Sequence, residues 1–283
     1  MKQPIPNYSI DIFENVEDVF FLYHQIDAQV AIDQPFRRTY YAVGICVGGT
    51  AELKVNLETY TIGPRCVITK PPHVIHQWTG RSEDFKTLTV FFTKNFITTN
   101  NTLPLEQLAF LSAEAQHVFA ATPAQAAQIT ATLALIYQKY QMESTSRKDV
   151  LRNHISSLLY EIAAVYDDKL ATRQTATSRG QYLVSSFKQL VNRHFLKEKR
   201  VEFYAEQLSI TPKYLTEILK NETGKTASQW IGEALIIEAK VLLHNPALSI
   251  AQVADLLHFP NQSTFGRFFK RSTHLSPTAY KNA

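Results

Sequence analysis

Between Val201 and Tyr280 the chain repeats itself, and that repeat restricts the fold more than any other feature of its 283 residues. Val201-Glu-Phe-Tyr-Ala205-Glu-Gln-Leu208 aligns with Ile250-Ala-Gln-Val-Ala254-Asp-Leu-Leu257 at an offset of 49. After one extra residue, Leu215, Ile218, Leu219, Lys220 and Trp230 align with Phe265, Phe268, Phe269, Lys270 and Tyr280 at an offset of 50. Each copy reads as two short helices joined by a turn, so two helix-turn-helix units in tandem are predicted. A pair of similar helices suits a partner that is itself repetitive, and double-stranded DNA is such a partner.

In the first copy Thr211-Pro212 starts a helix, with threonine as the cap and proline where a missing N–H costs nothing. That helix is predicted to bury Leu215, Ile218 and Leu219 and to turn Lys213, Thr216, Glu217 and Lys220 outward. In the second copy Phe265, Phe268 and Phe269 are the inward set, and Asn261, Gln262, Ser263, Gly266, Arg267 and Lys270 the outward one. Arginine pairs bidentately with guanine and glutamine with adenine, and a good pair discriminates by roughly 1–3 kcal/mol. Lys220 and Lys270, at equivalent positions, suit phosphates. Between the copies, Ile231, Leu235, Ile236, Ala239, Leu242 and Leu243 mark the stripe of one connecting helix. A helix that sets the two readers about 34 Å apart lets them enter successive major grooves.

Charge is divided accordingly. Residues 181–283 hold 13 Lys/Arg against 8 Asp/Glu, a net of +5, whereas residues 1–180 hold 16 against 17. This asymmetry is the one expected when a nucleic-acid module is joined to a neutral one.

The repeat segment resembles the DNA-binding domain of AraC/XylS-type transcription regulators. The matching residues are Ala239-Lys-Val-Leu-Leu243, Ser249-Ile250-Ala-Gln-Val-Ala254, Phe259, Ser263-Thr-Phe265, Phe268-Phe-Lys270-Arg and Ser276-Pro277-Thr-Ala-Tyr280. The resemblance implies base reading by Lys213, Thr216 and Glu217 in the first copy and by Gln262, Ser263 and Arg267 in the second. Four positions depart from the family pattern. His258 and His274 stand where glycine is usual, although Gly224 is retained in the first copy; Leu235 and Glu217 stand where basic residues are common. Glu217 either accepts from a cytosine amine or leaves its helix a weaker reader.

The N-terminal half has a different texture. Leu53, Val55 and Leu57 alternate with Glu52, Lys54, Asn56 and Glu58, and Leu88, Val90 and Phe92 alternate with Thr87, Thr89 and Phe91. Gly48-Gly49, Gly63-Pro64, Pro71-Pro72 and Thr79-Gly80 punctuate these runs as turns. Farther on, Ile129, Leu133, Ile136 and Tyr140, then Leu151, Ile155, Leu158, Ile162 and Val165, carry the seams of two helices. Leu159 and Tyr166 widen the second seam, toward either the barrel or a second subunit. Gly63 through Pro72-His73-Val-Ile-His76 is similar to a motif of cupin-type sensory domains, which implies a small-molecule effector, with His76 the candidate contact.

The predicted fold is therefore α+β in two domains. A cupin-like barrel spans 1–100, a helical dimerisation segment 101–170, a linker 171–180 and an all-α double helix-turn-helix 181–283. Expected partners are double-stranded DNA, an effector, a second copy through helices within 125–168, and RNA polymerase. No catalytic residue, metal or cofactor is expected. His73 and His76 lack the His-x-His pair of catalytic cupins, and no Ser-His-Asp arrangement, phosphate loop or dinucleotide fingerprint occurs. The rival reading is a metal-dependent cupin enzyme fused to a DNA-binding domain, and a third is an architectural DNA binder without ligand. No stretch suits a membrane span or signal peptide, so a cytoplasmic protein is expected. Cys46 and Cys66 read as small buried hydrophobes.

Overall fold

Short apolar runs separated by turn residues become nine strands among the described residues of the computed structural model, which are 19–23, 32–99, 104–113, 115–174 and 178–282. The strands are β1 (Val19–Tyr23), β2 (Phe36–Arg37), β3 (Tyr41–Gly48), β4 (Ala51–Val55), β5 (Glu58–Ile62), β6 (Cys66–Lys70), β7 (Ile75–Arg81), β8 (Lys86–Phe92) and β9 (Val118–Ala120). They pair antiparallel in two sheets, ordered β1-β8-β3-β6-β9 and β2-β7-β4-β5. The closed barrel expected for 1–100 is not seen among the described residues. Its place is taken by two sheets that meet through side chains, as in a sandwich, and not through a continuous ladder.

The first sheet is buried on both faces. On one side Val43, Ile45, Val67, Leu88, Val90 and Phe92 join a core completed by helices α2 (Pro123–Gln141) and α3 (Arg147–Gln174). On the other side Phe91 and Lys70, both cross-strand partners of Ala42, meet the second sheet. A short helix, α1 (Lys94–Thr98), follows β8, and Phe96 and Ile97 are buried in the helical core.

Several sequence expectations shift. The run 51–58 is a hairpin and not one strand: Asn56 takes a φ of 50° and Val55 pairs with Glu58. Asparagine tolerates that left-handed backbone, and its Oδ1 accepts from the Ile75 N–H at 3.2 Å. Thr79-Gly80 is no turn but a bulge inside β7, since Glu52 faces Gly80 while Leu53 faces Trp78. The segment 101–170 is not purely helical, because β9 extends the first sheet beside β6. Within 171–180, α3 runs through Gln174 and the next helix starts at Arg179, capped by Ser178. Prolonging a helix adds a hydrogen bond per residue with no new nucleation, so an apolar stripe is not required there.

Both helix seams are used within this unit. Ile129, Leu133, Ile136, Leu151, Ile155, Leu158, Ile162 and Val165 are buried, as are Leu159 and Tyr166. Of the two destinations open to the wider seam, the chain's own core takes Leu159 and Tyr166. Tyr166 lies against Phe110 and Phe119. None of the described helices is long and apolar enough to cross a membrane.

The chain divides into two compact units, one ending at Thr175 and the other beginning at Ala176. The second consists of α4 (Arg179–His194), α5 (Val201–Gln207), α6 (Pro212–Thr223), α7 (Ala227–Leu243), α8 (Ile250–Leu256), α9 (Gln262–Thr273) and α10 (Pro277–Lys281).

Candidate nucleic-acid interface

The sequence repeat is a repeat of hydrogen bonds. After α5 the Ile210 N–H donates to Ala205 O (3.0 Å) and the Ser209 N–H to Glu206 O (2.9 Å); after α8 the Phe259 N–H donates to Ala254 O (2.9 Å) and the His258 N–H to Asp255 O (2.8 Å). Ser209 and His258, 49 apart, share a left-handed backbone with φ of 54° and 53°. His258 thus adopts the conformation for which glycine is usual, as Ser209 does in the first copy. Ala205 and Ala254 are buried where a larger side chain would push the paired helices apart.

The second helix of each copy follows the same plan at an offset of 50. Thr211 caps α6 by accepting from the Tyr214 N–H, and Asn261 caps α9 by accepting from the Thr264 N–H. Gly224 and His274 end the two helices with φ of 74° and 63°. Thr223 Oγ1 donates to Leu219 O at 2.6 Å, and Thr273 Oγ1 to Phe269 O at 2.8 Å. Leu215 and Leu219 in α6 and Phe265 and Phe269 in α9 are fully buried, while Ile218 and Phe268 are half-buried.

What remains outside is one face per helix. Lys213, Glu217 and Lys220 are exposed on α6, with Thr216 half-buried among them; Gln262, Ser263, Arg267 and Lys270 are exposed on α9. Equivalent positions pair Lys213 with Ser263, Glu217 with Arg267 and Lys220 with Lys270. The two faces therefore share a cation in the last turn and carry opposite charge in the middle. Asn261 departs from its expected role: its Oδ1 accepts from both the N–H and the hydroxyl of Thr264, so it organises the helix start. Tyr214, 40% exposed on the first turn of α6, extends that face and escapes a reading based on charge and amide groups.

α7 is the common support. Trp230, Ile231, Ala234, Leu235, Ile236, Ile237, Ala239 and Leu243 are buried along it, together with Glu238. Leu235, where the family pattern favours arginine, is thus part of the core. At its start Trp230 donates to Thr223 Oγ1 and lies under the ammonium groups of Lys188 and Lys225, at 4.3 and 4.4 Å. At its end His244 meets Tyr280, which meets Phe269. Lys199, in the segment joining α4 to α5, forms a second tie. Its Nζ donates to Leu257 O and His258 O, both at 2.8 Å, and lies 4.1 Å from the Phe259 ring. Burial lowers the pKa of this ammonium. A residue of the first copy's approach segment thereby holds the turn of the second.

In the N-terminal unit His76 lies on β7, fully buried, stacked 5.8 Å from Phe36 and edge-on to His117 at 6.4 Å. It belongs to the interior and not to a rim. His73, by contrast, is exposed, with a φ of 66°. Burial first, then Lys70, His117 and Arg38, push the His76 pKa well below 6.5, with the Val74 backbone working in the other direction. The imidazole is neutral when folded and takes up a proton more readily when unfolded. Stability should therefore be complete above about pH 6.5 and fall as pH drops toward the folded-state pKa, by about 1.4 kcal/mol per pH unit. Thermal melting of the N-terminal unit between pH 7 and 5 measures this slope, and a His76→Leu variant should flatten it.

Residues 204–283 match the family model described as a helix-turn-helix domain. The Msm operon regulatory protein of Streptococcus mutans is 24% identical over 125 residues, covering 44% of this chain and 45% of that protein. The arabinose operon regulatory protein of Salmonella typhimurium is 23% identical over 258 residues, covering 88% of this chain and 86% of that protein. An apo ToxT variant from Vibrio cholerae aligns over 95% of this chain and 98% of its own, with 15% identity and a TM-score of 0.37. The chain thus spans less than half the length of the Streptococcus relative and most of the Salmonella one. A helix-turn-helix domain therefore lies in the C-terminal unit, and these two relatives are described as operon regulatory proteins.

Proposed function

We propose that this protein is a sequence-specific DNA-binding transcription regulator whose N-terminal unit, a cupin-like sensor, responds to a small molecule. One observation carries the DNA reading: α6 and α9 repeat the same caps, buried positions and exposed face at an offset of 50, on one shared helix. Similar readers mounted on one support suit successive turns of a duplex. In this reading α9, with Gln262, Ser263 and Arg267, reads bases, and Lys220 and Lys270 bind phosphate. α6, with Glu217 at the position of Arg267, contributes more placement than sequence.

The effector reading follows from the polar interior around His76, and the regulator acts without catalysis. A metal enzyme would need His73 and His76 to converge, and one is exposed while the other is enclosed. A homodimer through 125–168 would use the outer faces of α2 and α3, where Leu135 and Tyr160 are exposed. RNA polymerase is a further partner in this reading, and the cytoplasm its compartment.

Selection of bound duplexes from random DNA tests the proposal: two half-sites one helical turn apart are expected. Arg267→Ala should relax preference at one base position at a cost of about 1–3 kcal/mol. Lys270→Ala should weaken all duplexes alike and reduce the salt slope by about 1. Binding that is indifferent to both changes would sink the assignment of α9.

A further inference from the structure

The chain has two cysteines, Cys46 and Cys66, and the fold sets them face to face. β3 and β6 pair antiparallel from Ala42 opposite Lys70 to Ile45 opposite Val67, and one further step brings Cys46 opposite Cys66. A turn leads into β6 at this point. The Cys66 N–H donates to Gly63 O at 3.1 Å, with Pro64 and Arg65 between them and Arg65 at a φ of 71°, which makes 63–66 a type II turn. The Arg65 N–H donates to Cys46 O at 2.8 Å, so Arg65 and Cys66 together oppose Cys46 as a bulge. Ile45 and Val67 turn toward the helical core, so both cysteine side chains leave from the opposite face of the sheet.

Facing residues of an antiparallel pair have α-carbons about 4.5–5.5 Å apart, and a disulfide spans about 4.4–6.8 Å. The backbone therefore already has the separation that a bridge requires. The two sulfurs differ in their surroundings. Cys46 is 1% exposed, and its Sγ donates to Gly48 O at 3.3 Å. Burial, opposed by Gly48 and reinforced by Cys66 and Asp84, pushes its pKa up to about 11. Cys66 is half-buried, and its Sγ accepts from the Gly63 N–H at 3.5 Å. An oxidant from solvent meets Cys66 first, with Cys46 enclosed behind it. Cysteines serving only as small apolar side chains would have no need to face each other.

We propose that Cys46 and Cys66 form a reversible thiol–disulfide site, oxidised by peroxide through Cys66 and closed by Cys46. The Cys66 thiolate attacks one peroxide oxygen, the O–O bond breaks, hydroxide leaves, and a sulfenic acid is formed. The Cys46 sulfur then attacks Cys66 Sγ. The S–S bond forms, the S–O bond breaks, and the Cys46 proton leaves with the hydroxide as water. Two electrons pass from the sulfurs to peroxide, and a dithiol reductant returns them. The bridge ties β3 to the start of β6 and closes the loop that carries β4 and β5. This site is independent of the DNA reading and of any effector.

The reduced full-length protein is treated with hydrogen peroxide and followed by intact mass, thiol titration in denaturant and peptide mapping. Both thiols should disappear together, with the mass lower by the two hydrogens lost, a Cys46–Cys66 peptide link, and recovery on adding dithiothreitol. The oxidised protein should melt roughly 5–10 °C above the reduced one, since a bridge that the native sheet accommodates restricts only the unfolded chain. In Cys46→Ser, peroxide should leave Cys66 as a sulfenic acid that dimedone traps; in Cys66→Ser, the same treatment should leave Cys46 a thiol. Separate oxidation of the two sulfurs in the unaltered protein, with no species lacking two hydrogens, would overturn the proposal. So would links formed only between two copies, or a bridge that lowers the melting temperature, because it would then close only in opened molecules.

Discussion

Replacing Phe265 by alanine is expected to unfold the second helix-turn-helix unit and abolish its part in DNA binding. Phe265 is fully buried and packs against both Phe259 and Phe269, which continues the contact chain to Tyr280 and His244. Removing a buried phenylalanine costs about 3–5 kcal/mol, against a total of about 5–15 kcal/mol for a typical domain. Circular dichroism melts should show an early transition, and gel-shift titration should show loss of specific complexes. Retention of wild-type melting and affinity would contradict the packing described for α9.

The second large effect is expected at Gly44, in the middle of β3. A methyl group there would overlap the Leu88 carbonyl oxygen and approach Thr89 Oγ1 at 2.5 Å and Thr89 Cα at 2.9 Å. Two of these are backbone atoms of β8, hydrogen-bonded neighbours in the same sheet, and cannot move without breaking the ladder. Gly44→Ala should therefore cost about 3 kcal/mol, at the upper end of ordinary overpacking. The melting temperature of the N-terminal unit should fall by roughly 6–12 °C. Because Gly44 lies on the face turned toward the second sheet, the substitution should also disturb the cluster around Lys70, whose strand pairs with β3. A variant with unchanged melting would show that β3 and β8 are less closely apposed.

The C-terminal unit was legible because its information is local. The cap at Thr211, the proline after it, and apolar side chains three and four residues apart state the helices directly. The duplication then distinguishes a reading face from an ordinary solvated one. Two details were not legible. Asn261 has the composition of a base reader, but its carbonyl oxygen is taken by Thr264, a choice set by three-dimensional geometry. Lys199 resembles any surface lysine, and its importance lies in carbonyls 58 and 59 residues away.

The N-terminal unit was less legible, for a physical reason. β3 is covered by helices on one side and by a sheet on the other, so the alternation that marks inward and outward faces vanishes from Ala42 to Cys46. The polar interior is hidden by the same effect. Lys70 ends an apolar strand and Arg38 follows the two-residue β2, positions where charge ordinarily marks the return to solvent. The exceptions to the pattern, and not the pattern, mark this interior.

The tie made by Lys199 bears on how long a complex would last. With the second turn clamped to the approach of the first, and both mounted on α7, the readers are spared a swivelling search after one of them lands. Once α9 is seated, α6 meets its own groove at an effective concentration on the order of millimolar or above. In the proposed reading, a reader carrying Glu217 then needs little intrinsic affinity to prolong the encounter, because avidity adds to whatever contacts it makes.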